Sequence, residues 1–296
     1  MQAMSSRLIA VLFACAAALA CQESFASTSL MDQFFLGNGQ LALKIAGTAS
    51  DKRLADQREQ APEISVLLQS ISPLIARGES GLAIQRHVLK RFHELGWQPM
   101  MVGYNGYPAA IAISMNDGVL NGFPTSQPIP QNTLVKVELV AGTPYSHLAQ
   151  TWTFAGKNAT QKQKMMLEAA RLALREGVEQ VHAGAELDGI GEAISKTLNA
   201  SHIYPVREYC GYAMGAARIE PPQILGYRPA HPSNLLMHAG QVLNVYVLAQ
   251  TGEYNTRVSL SNGLEAFTSD GGDSVVLSVM VEVTSDGYRL LTRFVD

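Results

Sequence analysis

The chain has 296 residues, 47% of them hydrophobic and 16% charged, and its 22 Lys and Arg against 25 Asp and Glu give a formal net charge of −3. That length and apolar content suit one large domain or two smaller ones with a substantial core. Mild acidity without a basic block or a Lys/Arg stripe argues against nucleic acid as a partner.

The N-terminus reads as an export signal. Arg7 precedes an apolar run from Leu8 to Ala20, which is short for a membrane span. Ser24-Phe25-Ala26 places small residues at the cleavage positions. Residues 1–26 are therefore expected to be removed, leaving a periplasmic or secreted protein with no membrane span. A lipid-anchored start at Cys21 is the alternative. Cleavage after Ala26 removes Cys15 and Cys21, so Cys210 is left as a lone thiol and the fold must rest on its core.

Residues 27–51 mix apolar and small residues without a clean period and read as an N-terminal arm or a short strand. From about Asp51, Leu54, Ile64, Leu67, Leu68, Ile71 and Ile75 recur near helical spacing, with Pro62 as an interruption. Gly78 marks a break. Ser80 is then a plausible N-cap for a second helix that buries Leu82, Ile84, Val88, Leu89, Phe92 and Leu95, and Gly96 closes it. Strands are expected at 100–102, 110–114, 134–140 and 151–154, the later ones separated by Pro- and Gly-containing turns of the antiparallel kind.

The second half repeats the plan. Residues 165–181 read as a helix, and Gly184 opens another carrying Ile190, Ile194 and Leu198. Strands are expected at 206–209, 242–248, 255–260 and 275–284. Helix, glycine turn, helix and sheet, twice over, indicate an α+β fold with an internal duplication, spanning residues 52–296 as one domain.

Three stretches carry more specific information: Gly103-Tyr104-Asn105-Gly106-Tyr107-Pro108; the run Ile113 to Pro124 (I-S-M-N-D-G-V-L-N-G-F-P); and Arg207 to Gly215 (R-E-Y-C-G-Y-A-M-G) with Glu220-Pro221-Pro222-Gln223. They resemble, with the spacing inside each motif kept, the patterns G-Y-x-G-Y-P, I-S-x-N-E-x-V-x-H-G-I-P and R-E-Y-C-G-H-G-I-G…H-E-x-P-Q of the type I methionine aminopeptidases, within the M24 peptidases. The similarity runs from about Asp51 to the C-terminus. It implies the pita-bread fold, a curved antiparallel sheet flanked by helices with pseudo-two-fold symmetry.

That family holds two divalent metals with two Asp, one His and two Glu. The resemblance carries the Asp positions to Glu138 and to the neighbourhood of Gln150, the His to Tyr212, and the Glu positions to Tyr246 and Ser278. Two further His that contact substrate fall on Asn121 and Ile219. A pair of divalent cations needs several carboxylates, and Glu138 alone is ionised at neutral pH among the five carried-over positions, so no metal or other cofactor is expected. Tyr104 and Tyr107 match positions lining the family's apolar substrate pocket, and Leu264 matches its aromatic wall. Arg218 replaces an apolar residue there and could pair with a carboxylate or phosphate of a ligand, or with Glu220. The expected cleft thus comprises Tyr104, Tyr107, Asn121, Gln150, Arg218, Leu264 and Ser278.

His147, placed in the loop before Gln150, and His231 and His238 show no metal-ligand spacing. Cys210 reads as a small buried hydrophobe. No G-x-S-x-G, P-loop or dinucleotide fingerprint occurs. The leading expectation is an exported, metal-free relative of the aminopeptidases that binds a peptide, a small molecule or a protein partner. The alternative is a metal-independent enzyme with Glu138 as base, Tyr212 or Tyr246 as proton donor and His147 as a further member. A conventional metalloaminopeptidase ranks third.

Overall fold

The computed structural model describes residues 28–252 and 255–295; the segment read as an export signal lies outside them. Residues expected to form an arm or short strand form a helix, α1 (Thr28–Ala46). Tertiary contacts hold it: the Asn38 amide donates to the Pro99 and Val102 carbonyls at 2.8 and 3.2 Å, and Ile45 is fully buried. Helix α2 (Ser50–Ala76) runs unbroken through Pro62 and Pro73. Each proline lacks an N–H, but the buried row Ala61, Ile64, Leu68, Ile71 and Ile75 keeps the segment helical by packing. Helix α3 (Gly81–Leu95) has the ends that its sequence indicates. The Ser80 hydroxyl accepts from the Ala83 amide, and Gly96 closes the helix at φ 69°.

The sheet is built twice. In the first half, β4 (Leu134–Gly142) is flanked on one side by β5 (His147–Ala155). On its other side lie β2 (Ala112–Met115) and the two-residue strand β1 (Gln98–Pro99). Helix α4 (Gln161–Val178), entered through a Thr160/Gln163 capping box, and α5 (Asp188–Ala200) then lead into the second half. There β9 (Val242–Gln250) is flanked by β12 (Ser274–Val283) on one side, and by β7 (Gly211–Met214) and the two-residue β6 (Tyr204–Pro205) on the other. Strand β8 (Glu220–Ile224) extends that sheet beyond β7, and β13 (Tyr288–Leu290) extends it beyond β12. A small sheet of β10 (Thr256–Val258), β11 (Ala266–Thr268) and β3 (Gly118–Leu120) covers one end.

The duplication is thus visible strand for strand: β1 caps the end of β4 as β6 caps the end of β9. In both places the sequence points to a strand one or two residues too far along. Residues 100–102 are in a turn, and 206–209 connect β6 to β7.

At the seam, β5 and β12 lie side by side in separate ladders and side chains bridge them. The Thr151 amide donates to Ser278 Oγ at 2.9 Å, and Thr153 Oγ1 both donates to the Val276 carbonyl (2.7 Å) and accepts from its amide (2.9 Å). The helices α2 and α4 cover one face of this double sheet, and every residue of β4, β9 and β12 is buried. A buried Lys136 on β4 ties the halves together, donating to the Asn116 carbonyl at 2.7 Å and to the Ser274 carbonyl and hydroxyl at 3.0 and 3.1 Å.

Candidate ligand-binding cavity

A cavity of about 350 Å³ is lined from both halves. Glu138, from the middle of β4, contributes the buried carboxylate on its wall, and its strand register sets it opposite Ala112 and Thr151. Directly opposed residues of an antiparallel pair point to the same face, so Thr151 shares the Glu138 face and Gln150 does not.

The position expected to hold the second acidic ligand is therefore misplaced by one residue. Gln150 is fully buried on the helix side, where it accepts from the Ser65 hydroxyl and donates to the Arg293 carbonyl, both at 2.7 Å. Strand alternation gave the signal for Thr151; the hairpin length, which sets register, was the missing quantity.

Tyr212 is placed by the glycine that precedes it. A Cβ at Gly211 would lie 2.5 Å from the Asn244 carbonyl, so only glycine lets β7 approach β9 this closely. Tyr212 stands opposite Asn244, whose amide reaches the phenol oxygen at 3.4 Å. The Tyr212 and Tyr246 hydroxyls are 3.5 Å apart with ring centroids at 5.7 Å, and the Tyr246 hydroxyl lies 3.2 Å from Thr151 Oγ1. Burial raises both phenol pKa values, Tyr246 well above the ordinary value, so both are neutral hydrogen-bonding groups at physiological pH.

Ser278, opposite Tyr246 on β12, was expected in the cleft. It shares the Tyr246 face but is fully buried and does not line the cavity, and its hydroxyl accepts from the Thr151 amide.

The remaining walls come from loops. Tyr104 sits on a single 3₁₀ turn (Tyr104–Gly106) entered through Gly103 at φ 81°. Tyr107 donates to the Gly122 carbonyl at 2.8 Å, which anchors the ring; burial raises its pKa too. Asn121, in the left-handed region at φ 59°, donates to the Leu264 carbonyl at 3.1 Å and fixes that wall. Ile219, Tyr209 and Cys210 also line the cavity. Burial raises the Cys210 thiol, which holds it in the less nucleophilic protonated form.

Arg218 completes the site. Its Nη2 lies 3.5 Å from Glu138 Oε1, and the guanidinium carbon is 4.4 Å from the centroid of the Tyr104 ring. Glu220 does not pair with it; that carboxylate accepts from the Ala217 amide at 2.6 Å. Burial pushes the Glu138 carboxyl up, and the neighbouring Arg218 opposes that shift.

His147 is the first residue of β5 and buried, so it is not a loop histidine; burial, then the charges of Arg218 and Arg53, lower its pKa to about 4. Among the described residues, no group of three or more His, Cys, Asp or Glu side chains is arranged to hold a metal ion.

Two half-sheets related by duplication, helices on one face and a cavity on the other define a pita-bread protein of the aminopeptidase class. Residues 61–285 match the model of metallopeptidase family M24, and the chain belongs to that family. Methionine aminopeptidase 1 of Bacillus subtilis is 26% identical over 227 residues, covering 77% of this chain and 89% of the relative. The Escherichia coli methionine aminopeptidase is 24% identical over 236 residues, covering 79% and 88%. Among solved structures, methionine aminopeptidase from Thermotoga maritima superposes with a TM-score of 0.78 at 22% identity, covering 82% of this chain and 97% of that one. An Xaa-Pro dipeptidase from Bacillus anthracis gives 0.60 at 16% identity, covering 85% and 63%.

Proposed function

We propose that this M24 protein is a metal-independent binding protein, exported from the cytoplasm, whose cavity holds a small molecule or a peptide end. One observation carries the reading: the buried carboxylate at the carried-over metal position, Glu138, has a guanidinium 3.5 Å away. Its neighbours on the same face are Thr151, Tyr212 and Tyr246, neutral groups that hydrogen-bond to one another or to Asn244. One carboxylate beside a fixed cation does not fit a pair of divalent metals, whose mutual repulsion needs several anionic ligands. Purified protein is expected to carry no tightly bound divalent ions by elemental analysis. One or two per chain, or turnover of an aminoacyl substrate on adding cobalt or manganese, would overturn the reading.

A protein surface as the partner is a variant of the same reading, distinguished by pull-down with the cavity blocked. Export is tested by N-terminal sequencing of the cell-envelope or secreted protein, expected to begin near Ser27.

The metal-free acid–base enzyme has one observation in its favour: Glu138 is held toward its protonated form inside a cavity. It is the weaker reading, because Glu138 is paired with Arg218 and the phenols are poorer proton donors than free tyrosine.

A further inference from the structure

The cavity distributes charge unevenly. Its body is aromatic and aliphatic, with Tyr104, Leu120, Ile219 and Leu264 among the lining residues. Its charged groups away from the rim are the buried Glu138 and the largely enclosed Arg218, whose side chain is 11% exposed. The contact between these two is long: 3.5 Å exceeds the usual span of an N–H···O bond. Nε and Nη1 of the same guanidinium are buried and have no hydrogen-bond partner within the protein. A buried guanidinium with two unengaged nitrogens, stacked on a tyrosine ring, is an incomplete ion site whose missing component is an anion.

We propose that the cavity takes a small apolar monocarboxylate, its carboxylate on Arg218 and its hydrocarbon body against Tyr104, Ile219 and Leu264. This rests on the reading of the protein as a metal-free binder. A phosphate monoester fits less well, because its second charge would face Glu138 within the cavity and Glu208 at its exposed rim. An amine fits less well because Arg218 repels it. Glu138 competes with the ligand for the guanidinium, and its burial, which favours the uncharged carboxyl, lowers the cost of giving up that partner.

The test is calorimetric titration of the full-length protein with probes sharing one body: 3-phenylpropanoate, 3-phenylpropanamide, 3-phenylpropylamine and 3-phenylpropyl phosphate. The carboxylate is expected to bind at least about tenfold more tightly than the amide, as a charge-assisted hydrogen bond to a buried guanidinium allows. Arg218→Met should remove that preference, and Glu138→Gln, which leaves Arg218 in place without its competitor, should strengthen carboxylate binding several-fold. If Arg218→Met fails to fold, the Glu138→Gln result still decides.

Equal affinity for acid and amide, tighter binding of the amine or the phosphate, or weaker carboxylate binding by Glu138→Gln would overturn the assignment. If the amide or amine binds while the acid does not, the binding role stands and the carboxylate assignment falls. If no probe binds and the protein carries divalent ions, both fall. If no probe binds and no metal is present, the carboxylate assignment alone falls.

Discussion

Glu138 and Thr151 face each other across the β4–β5 ladder, and this register decides which residues share the cavity side of the sheet. Gln150, one residue away, belongs to the other side, bonded to Ser65 and the Arg293 carbonyl. Gln150→Asp is expected to act as a core defect. The shorter side chain takes the acceptor from the Ser65 hydroxyl proton and the donor from the Arg293 carbonyl, although the Arg293 amide still donates to Ser65. It also buries a charge, at a total cost of about 3 kcal/mol or more. Urea denaturation should record that loss, and elemental analysis should show no gain of metal. A stable variant that takes up divalent ions would place Gln150 in the cavity after all.

The seam between the half-sheets depends on side chains doing the work of a ladder. Ser278→Ala removes the acceptor of the buried Thr151 amide. An orphaned buried donor costs about 1–3 kcal/mol, so the midpoint of chemical unfolding should drop by that amount. Because Ser278 is fully buried and does not line the cavity, affinity for a cavity ligand should change little. A large affinity loss with unchanged stability would show that Ser278 contacts ligand directly.

Local signals carried much of this architecture. Ser80 and Gly96 mark both ends of α3 because each acts on its own neighbouring backbone. The central strands β4, β9 and β12 are buried along their whole lengths, so their apolar runs announce them. What escaped depends on partners distant in sequence. Helix α1 contains Gly37 and Gly39 and no clean apolar stripe; contacts such as Asn38 to Pro99, 61 residues away, hold it. Pro62 reads as a break, but the packing of α2 against the sheet outweighs one missing bond. A one-residue error in hairpin length was enough to exchange Gln150 for Thr151. The Arg218–Glu138 contact joins residues 80 apart, and nothing local selects Glu138 over Glu220 as the partner.

Lys136 is a buried cation with three oxygen acceptors within 3.1 Å. Lys136→Met is expected to cost about 1–3 kcal/mol, mainly through the Ser274 carbonyl, since the Asn116 carbonyl keeps the Ser274 amide and hydroxyl as donors. The pH dependence identifies the cause. Burial lowers the Lys136 pKa from 10.5 to about 7, opposed by Asp273 and Asp117. Between those values the unfolded chain binds the extra proton, so wild-type stability should rise with pH relative to Lys136→Met from about 7 to 10.5. Parallel curves for the two proteins across that window would contradict the assignment.

His147 gives the corresponding effect on the acid side. Its ring is buried, Nδ1 has no partner within the protein, and burial followed by the Arg218 and Arg53 charges lowers its pKa from 6.5 to about 4. A depressed histidine supplies stability that is fully present above 6.5 and is lost as pH falls through about 4. The full span corresponds to roughly 3 kcal/mol, at 1.36 kcal/mol per pH unit.

Two other groups titrate nearby with recognisable signs. Glu282, lowered by Arg58, loses its contribution below the ordinary glutamate value of 4.5. Glu138, raised by burial, works in the opposite sense, its contribution falling as pH rises. Subtracting the stability curve of His147→Leu from that of wild type cancels both. The difference should slope upward between about pH 4 and 6.5 and be flat above it. A flat difference throughout would mean that the imidazole is solvated and does not feel Arg218.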